Sequence, residues 1–190
     1  VYITFHAEPE YSGTAGAFGN AADYRAAYRR IVDRFRAQGV TNVKWVPVLM
    51  AWTFARSGGN PGQFWPGDAY VDAVGVDGYN WFGCSGGAAT WNSFGSIFQK
   101  AYSWIAGRRL PMMVVEWGAP EDRADPFRKA NWLTEAATWI KSHPNIKVVE
   151  YFHARDINPS KNRDCDWTVD SSLWTRLAFH DLATDPYFNP

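Results

Sequence analysis

The chain has 190 residues, and lysine plus arginine balance aspartate plus glutamate at 19 each, so it has no net charge to draw nucleic acid or an anionic membrane. No apolar run approaches the roughly 20 residues of a membrane span, and the 46% hydrophobic content is enough for one globular domain over residues 1–190. Eleven tryptophans, nine tyrosines and twelve phenylalanines offer flat apolar rings, which suit the C–H faces of neutral sugars as well as a core.

Residues 1–8 read as a strand that ends in Glu8, ahead of Pro9; the start carries no secretory leader, which excludes little because Val1 already lies inside that strand. A polar loop over 11–19 leads to Asn20, which caps a helix whose apolar positions Tyr24, Ala27, Tyr28, Ile31 and Phe35 recur at helical spacing until Gly39. Residues 43–50 form the next strand, with Pro47 inside it, where a proline favours an edge or a bulge. A loop over 51–67 carries Trp52 and Phe54 and closes in a short helical turn. The strand 73–79 holds Asp77 and Tyr79, and its loop, 80–89, holds Trp81 and Cys84. A helix over 90–107 turns Phe94, Ile97, Phe98, Ala101 and Ile105 to one side. Residues 111–120 are apolar on both faces until they end in Glu116, Trp117 and Gly118, a usual place for a catalytic acid in an α/β protein. Asp125-Pro126 opens a helix with Trp132, Ala136, Trp139 and Ile140 inward and Pro144 beyond its end. A fifth strand spans 146–153, a polar loop over 154–170 holds Cys165 and Trp167, and a last helix over 171–183 carries Leu173, Leu177 and Leu182.

Five strands, each followed by helical material, imply a parallel sheet with right-handed crossovers. An eight-fold barrel typically takes about 250 residues, so the choice is between an open doubly wound sheet and a barrel without its first three units. Glu8 and Glu116, at the ends of two strands, are the kind of pair that glycosidic bond cleavage needs. Cys84 and Cys165 stand in polar loops, which favours a disulfide and an extracellular protein over two unrelated thiols. Each feature has a plainer role beside this one. A strand-end glutamate can cap or pair, Glu10 and Glu150 are rival acids, His6 and His153 read as strand histidines, and Trp52, Trp81, Trp117 and Trp167 can pack loops rather than carry sugars. The four histidines lack metal-ligand spacing, so neither a metal nor a cofactor is expected. Gly83-Cys84-Ser85-Gly86-Gly87 matches G-x-S-x-G, but five or six residues separate it from its strand, too many for a nucleophile elbow.

The segments FHAEPE, WPGDAYVDAVGVDGYNW and PMMVVEWG, in that order, resemble the glycoside hydrolase family 26 pattern of β-mannanase-like, clan A retaining enzymes. The resemblance runs from Val1 to the C-terminal DPYF, in the order of the family's fourth to eighth strands. It implies a (β/α)8 TIM barrel, present as its last five βα units with the three N-terminal units missing, and two-step hydrolysis with Glu8 as acid/base and Glu116 as nucleophile. It also implies that Asp77 and Tyr79 line the reactive subsite, the Tyr79 hydroxyl bonding the nucleophile. His6, Trp52, Trp81, Trp117 and Tyr151 join them as candidates for substrate binding. Ala7 and Thr4 stand where the family commonly has a histidine and an arginine, and Tyr151 and Phe152 where mannanases often have tryptophan. The expectation is a secreted, endo-acting hydrolase of a β-linked polysaccharide or oligosaccharide, monomeric when full length. The alternatives are a glycan-binding barrel without chemistry and, at greater distance, a serine esterase acting through Ser85.

Overall fold

In the computed structural model, residues 1–11, 19–57, 59–84, 89–158 and 163–189 are described. They form an α/β fold that divides into two compact units, one of Val1–Asp77 and Lys100–Val115, the other of Gly78–Gln99 and Glu116–Pro190. Strands β3 (Val48–Met50), β4 (Val74–Tyr79), β5 (Met112–Gly118) and β6 (Ile146–Val149) are hydrogen-bonded neighbours in that order. Val74 N donates to Pro111 O and Asn80 N to Gly118 O; the numbers rise together, so β5 runs parallel to β4.

In the first unit β1 (Tyr2–Ile3) pairs in parallel with β2 (Lys44–Trp45), and β3 pairs in parallel with β4 in the register Val48↔Gly75 and Met50↔Asp77. The strand expected over 43–50 is split at Pro47, which has no N–H for the ladder but whose carbonyl accepts from Gly75 N at 2.9 Å. Gly75 itself answers to packing: a Cβ there would lie 2.7 Å from Val48 Cγ2 and 3.2 Å from Val115 Cγ1. The strand expected over 1–8 shrinks to two residues because His6 and Glu8 take φ of 53° and 52°, outside the extended region. Helix α1 (Ala21–Ala37) starts in a capping box. Asn20 Oδ1 accepts from Ala22 N and Asp23 N, while Asp23 Oδ2 accepts from Asn20 N at 2.9 Å. Its buried stripe, Tyr24, Tyr28 and Val32, closes on Trp45, and Phe35 meets the Trp45 ring edge-on at 5.0 Å. A five-residue helix α2 (Ala51–Ala55) occupies the start of the expected 51–67 loop.

Helix α3 (Phe94–Ala106) begins in the second unit. There Phe94 packs on Trp117, Trp132 and Trp139 at 5.1, 5.8 and 5.5 Å between ring centroids, and α4 (Arg128–Lys141) adds buried Leu133, Ala136 and Ile140. The helix expected from Asp125 starts three residues later, because the Asp125 carboxylate accepts from Phe127 N and closes a turn first. Strand β6 stops at Val149 instead of 153, and the expected 154–170 loop contains an antiparallel hairpin, β7 (Arg155–Asn158) with β8 (Arg163–Asp166). Helix α5 (Leu173–Thr184) is capped by Ser172. Its inner face is marked by buried Thr175, whereas Leu173 and Leu177 are 54% and 47% exposed. Among the described residues no helix is long and apolar enough to cross a membrane, and no group of three His, Cys, Asp or Glu could hold a metal.

Candidate active site

Residues 77, 79 and 116 come from alternating positions near the C-terminal ends of β4 and β5. In the second unit the Tyr79 hydroxyl donates to Glu116 Oε2, a charge-assisted hydrogen bond that fixes the orientation of the carboxylate. The tyrosine is itself held. Its ring lies 4.4 Å from that of Trp167, with Trp81 at 5.8 Å and Phe152 at 5.5 Å meeting it edge-on. Behind these rings Cys84 and Cys165 are joined in a disulfide that closes 81 residues of chain. Gly118 belongs to the same construction, since a Cβ there would press to 3.0 Å on Trp167.

Two of the expected substrate contacts are corrected, the first by strand parity. Neighbouring residues of a strand point to opposite faces, so Trp117 lies on the far side of β5 from Glu116. It is 1% exposed, packed on Phe94, Trp132 and Tyr151, and presents no face to a sugar. Tyr151 follows Trp117 to that side, where its ring meets Phe179 of α5 and lines a cavity of about 550 Å³ with Phe179 and Tyr187. Burial pushes its phenol well above the ordinary range. Phe152 is the residue that joins Tyr79 and Trp81 in one cluster. Trp81, partly buried, stays a member of the Tyr79 cluster.

In the first unit Glu8 leaves the sheet on a left-handed backbone, yet its amide still donates to Val48 O at 3.1 Å, and its carbonyl accepts from Tyr11 N. His6, half-buried, sits near the rings of Phe5 and Tyr24 at 6.3 and 6.4 Å. Asp77 is 3% exposed at the position of β4 that pairs with Met50. Trp52, on α2, is 37% exposed; its indole N–H donates to Met50 Sδ at 2.7 Å and the Arg56 guanidinium lies 3.7 Å above its ring, leaving an aromatic surface open after β3. Glu150 is exposed, and Ser85 falls outside the described residues.

Glu10, weighed in the sequence only as a rival acid, is bonded to the end of β3. Its Oε1 accepts from Met50 N at 2.6 Å and from Thr53 Oγ1 at 2.9 Å, and burial raises its pKa above the ordinary carboxylate value. The signal available in the sequence was its spacing, two residues past Glu8 across Pro9.

The profile of Glycosyl hydrolase family 26 matches residues 11–102, a span that contains Asp77 and Tyr79 and stops short of Glu8 and Glu116 on either side. Endoglucanase H of Acetivibrio thermocellus is 34% identical over 168 residues, which is 88% of this chain and 17% of that protein. Among solved structures, a Cellulomonas fimi endo-β-1,4-mannanase double mutant superposes with a TM-score of 0.67 at 21% identity, covering 98% of this chain and 41% of that one. The catalytic domain of a family 26 endo-β-1,4-mannanase from Bacillus sp. JAMB-750 superposes with a TM-score of 0.62 at 20% identity, covering 97% and 49%. The chain thus spans about half, or less, of the length of these relatives, and at such identities the superpositions speak for the fold alone. With the profile, the shared sequence over most of the chain and the common α/β fold in agreement, the chain belongs to glycosyl hydrolase family 26.

Proposed function

We propose that the chain is the C-terminal five βα units of a (β/α)8 barrel that hydrolyses a β-linked glycan with retention of configuration. In the first step the Glu116 carboxylate attacks the anomeric carbon while the carboxylic acid of Glu8 gives its proton to the departing glycosidic oxygen. A glycosyl ester on Glu116 results. In the second step Glu8, now a carboxylate, takes a proton from water as the water oxygen attacks the same carbon, and the ester bond breaks. The two carboxyls must work at about 5–5.5 Å from one another for this course.

The observation that carries the reading is the Tyr79 hydroxyl bonded to Glu116, on the two strand positions that the family pattern assigns to the reactive subsite. Trp52 and Trp81 are the proposed sugar contacts that keep some exposure, and Asp77 lines the subsite. The Cys84–Cys165 disulfide supports a secreted protein. The name of the curated relative points to a glucan and those of the solved neighbours to a β-1,4-mannan, two backbones whose sugars differ only in configuration at C2. With phenylalanine and tyrosine where mannanases often carry tryptophan, a β-glucan is the first substrate to test.

Replacing Glu116 or Glu8 by alanine in the complete catalytic domain is expected to lower reducing-sugar release from β-glucan by about a thousandfold or more, since each removes a reacting group. Unchanged release in either variant removes that residue from its role. A second reading rests on Ala7 and Thr4, which depart from the family pattern around the acid: a glycan-binding module without chemistry. Oligosaccharide titration of the unmodified protein separates the two, because that module would bind and leave the sugar uncut over long incubation.

A further inference from the structure

The chain around Glu8 has a backbone problem that Glu10 solves. Strand β1 pairs only with β2 and ends at Ile3, and the left-handed turns at His6 and Glu8 keep the following segment from continuing as a strand, so β3 has no partner strand on that edge among the described residues. Val48 O still finds the Glu8 amide at 3.1 Å. The next ladder group on that edge, Met50 N, has no strand beside it among the described residues, and an unpaired buried amide costs as much as a lost hydrogen bond. The Glu10 carboxylate takes the vacant place, with Oε1 accepting from Met50 N at 2.6 Å and from the hydroxyl of buried Thr53 at 2.9 Å. Tyr11 N closes the turn on Glu8 O at 3.0 Å. Glu8 is therefore bracketed. Its own amide is tied to β3 on one side, and two residues on a side chain is tied to the end of the same strand.

We infer that Glu10 is a positioning residue, a side-chain substitute for a ladder hydrogen bond that sets where the Glu8 carboxyl stands relative to the glycosidic oxygen. The inference rests on the assignment of Glu8 as the proton donor. Glu10 touches no substrate and transfers no proton. A carboxylate that is mostly buried, with Oε2 lacking a hydrogen-bond partner among the described residues, is a costly way to hold a loop, and that cost argues for a backbone geometry that the strand alone does not supply.

The test is the dependence on leaving group. In the complete catalytic domain, kcat/KM is measured for the parent, Glu10→Ala, Glu10→Gln and Glu8→Ala on an unactivated oligosaccharide, whose leaving oxygen needs a proton, and on the 2,4-dinitrophenyl glycoside of the same sugar, whose phenolate leaves unaided. Glu10→Ala is expected to lose about 10–100-fold on the oligosaccharide and less than about threefold on the aryl glycoside, since a misplaced acid matters only where protonation does. Glu10→Gln keeps an acceptor oxygen for both donors and is expected to stay within about threefold of the parent on both substrates. Equal losses on the two substrates for Glu10→Ala, or no loss on either while Glu8→Ala discriminates between them, overturn the inference. If Glu8→Ala itself fails to discriminate, the assignment of the acid has failed, and the role of Glu10 falls with it. Melting curves of the two Glu10 variants separate a folding defect from a loss of position.

Discussion

Glu116 and Glu8 are held by opposite means. Glu116 stands in a regular seven-residue strand, its carboxylate bonded to a tyrosine that is wedged among three aromatic rings and backed by a disulfide. Glu8 stands on irregular backbone beyond a two-residue strand, secured by one ladder hydrogen bond and the neighbouring Glu10 carboxylate. Packing fixes the first and a few directional bonds fix the second. The division suits their proposed tasks: a nucleophile must meet one carbon along one line, whereas an acid/base must serve a leaving oxygen in one step and a water in the next.

The comparison breaks most readily on its packed side. Trp167 is 2% exposed and packs on the Tyr79 ring, so Trp167→Ala is expected to cost about 3–5 kcal/mol of stability, read from denaturant unfolding, with activity falling as Tyr79 loses its wall. A cost below about 1 kcal/mol would mean that the aromatic box does not hold the tyrosine. Tyr79→Phe keeps the ring and removes only the hydroxyl that bonds Glu116, and an expected loss of about 1.5–3 kcal/mol in transition-state stabilisation corresponds to roughly 10–100-fold in kcat/KM. Stability should hardly change, and a variant as active as the parent would leave the hydroxyl without a catalytic part.

The smallest effect is a slope. Lys129 is fully buried, donating to Thr168 O at 2.7 Å and Ser171 Oγ at 3.0 Å, and burial lowers its pKa from 10.5 to about 8 against the opposing pull of Glu121, Asp166 and Asp170. Below pH 8 both folded and unfolded chains hold the proton, and this group gives no slope. Between about 8 and 10.5 the unfolded chain binds more protons, so its contribution makes stability rise with pH across that window. Above about pH 10 the buried phenols of Tyr24, Tyr28 and Tyr151, all raised by burial, pull the other way, because only the unfolded chain ionises them. Lys129→Met is expected to remove the rise between pH 8 and 10, and an unchanged pH profile of unfolding would assign the slope elsewhere.

Much of this arrangement was legible in the sequence. The cap at Asn20, the interruption at Pro47 and the Glu116 strand follow from side-chain chemistry acting within a few residues, which is where sequence patterns are most direct. The hairpin of β7 and β8 was not legible, because its residues, from Arg155 to Asp166, are mostly charged or polar, and part of its hold comes from the Arg155–Asp164 ion pair across the strands rather than from an apolar alternation. The left-handed backbone at Glu8 was hidden for a different reason, since neither Glu8 nor His6 is a glycine and nothing local announces the turn. The burial of Trp117 follows from parity, since once Glu116 is placed facing Tyr79, alternation sends Trp117 to the other face. The side taken by Tyr151 was not legible, because it lies past the end of β6 and depends on the register set by Phe152 N donating to Trp117 O.

The central claim is that Glu116 forms the covalent bond to sugar, and it is tested most directly by trapping that bond. A 2-deoxy-2-fluoro glycosyl fluoride of the matching sugar retains a good leaving group while the fluorine at C2 slows turnover of the ester, so digestion and mass spectrometry of the inactivated catalytic domain should find one glycosyl group on Glu116. A label on Glu8 or Glu10 instead, or hydrolysis of glycan with inversion at the anomeric carbon, would contradict it.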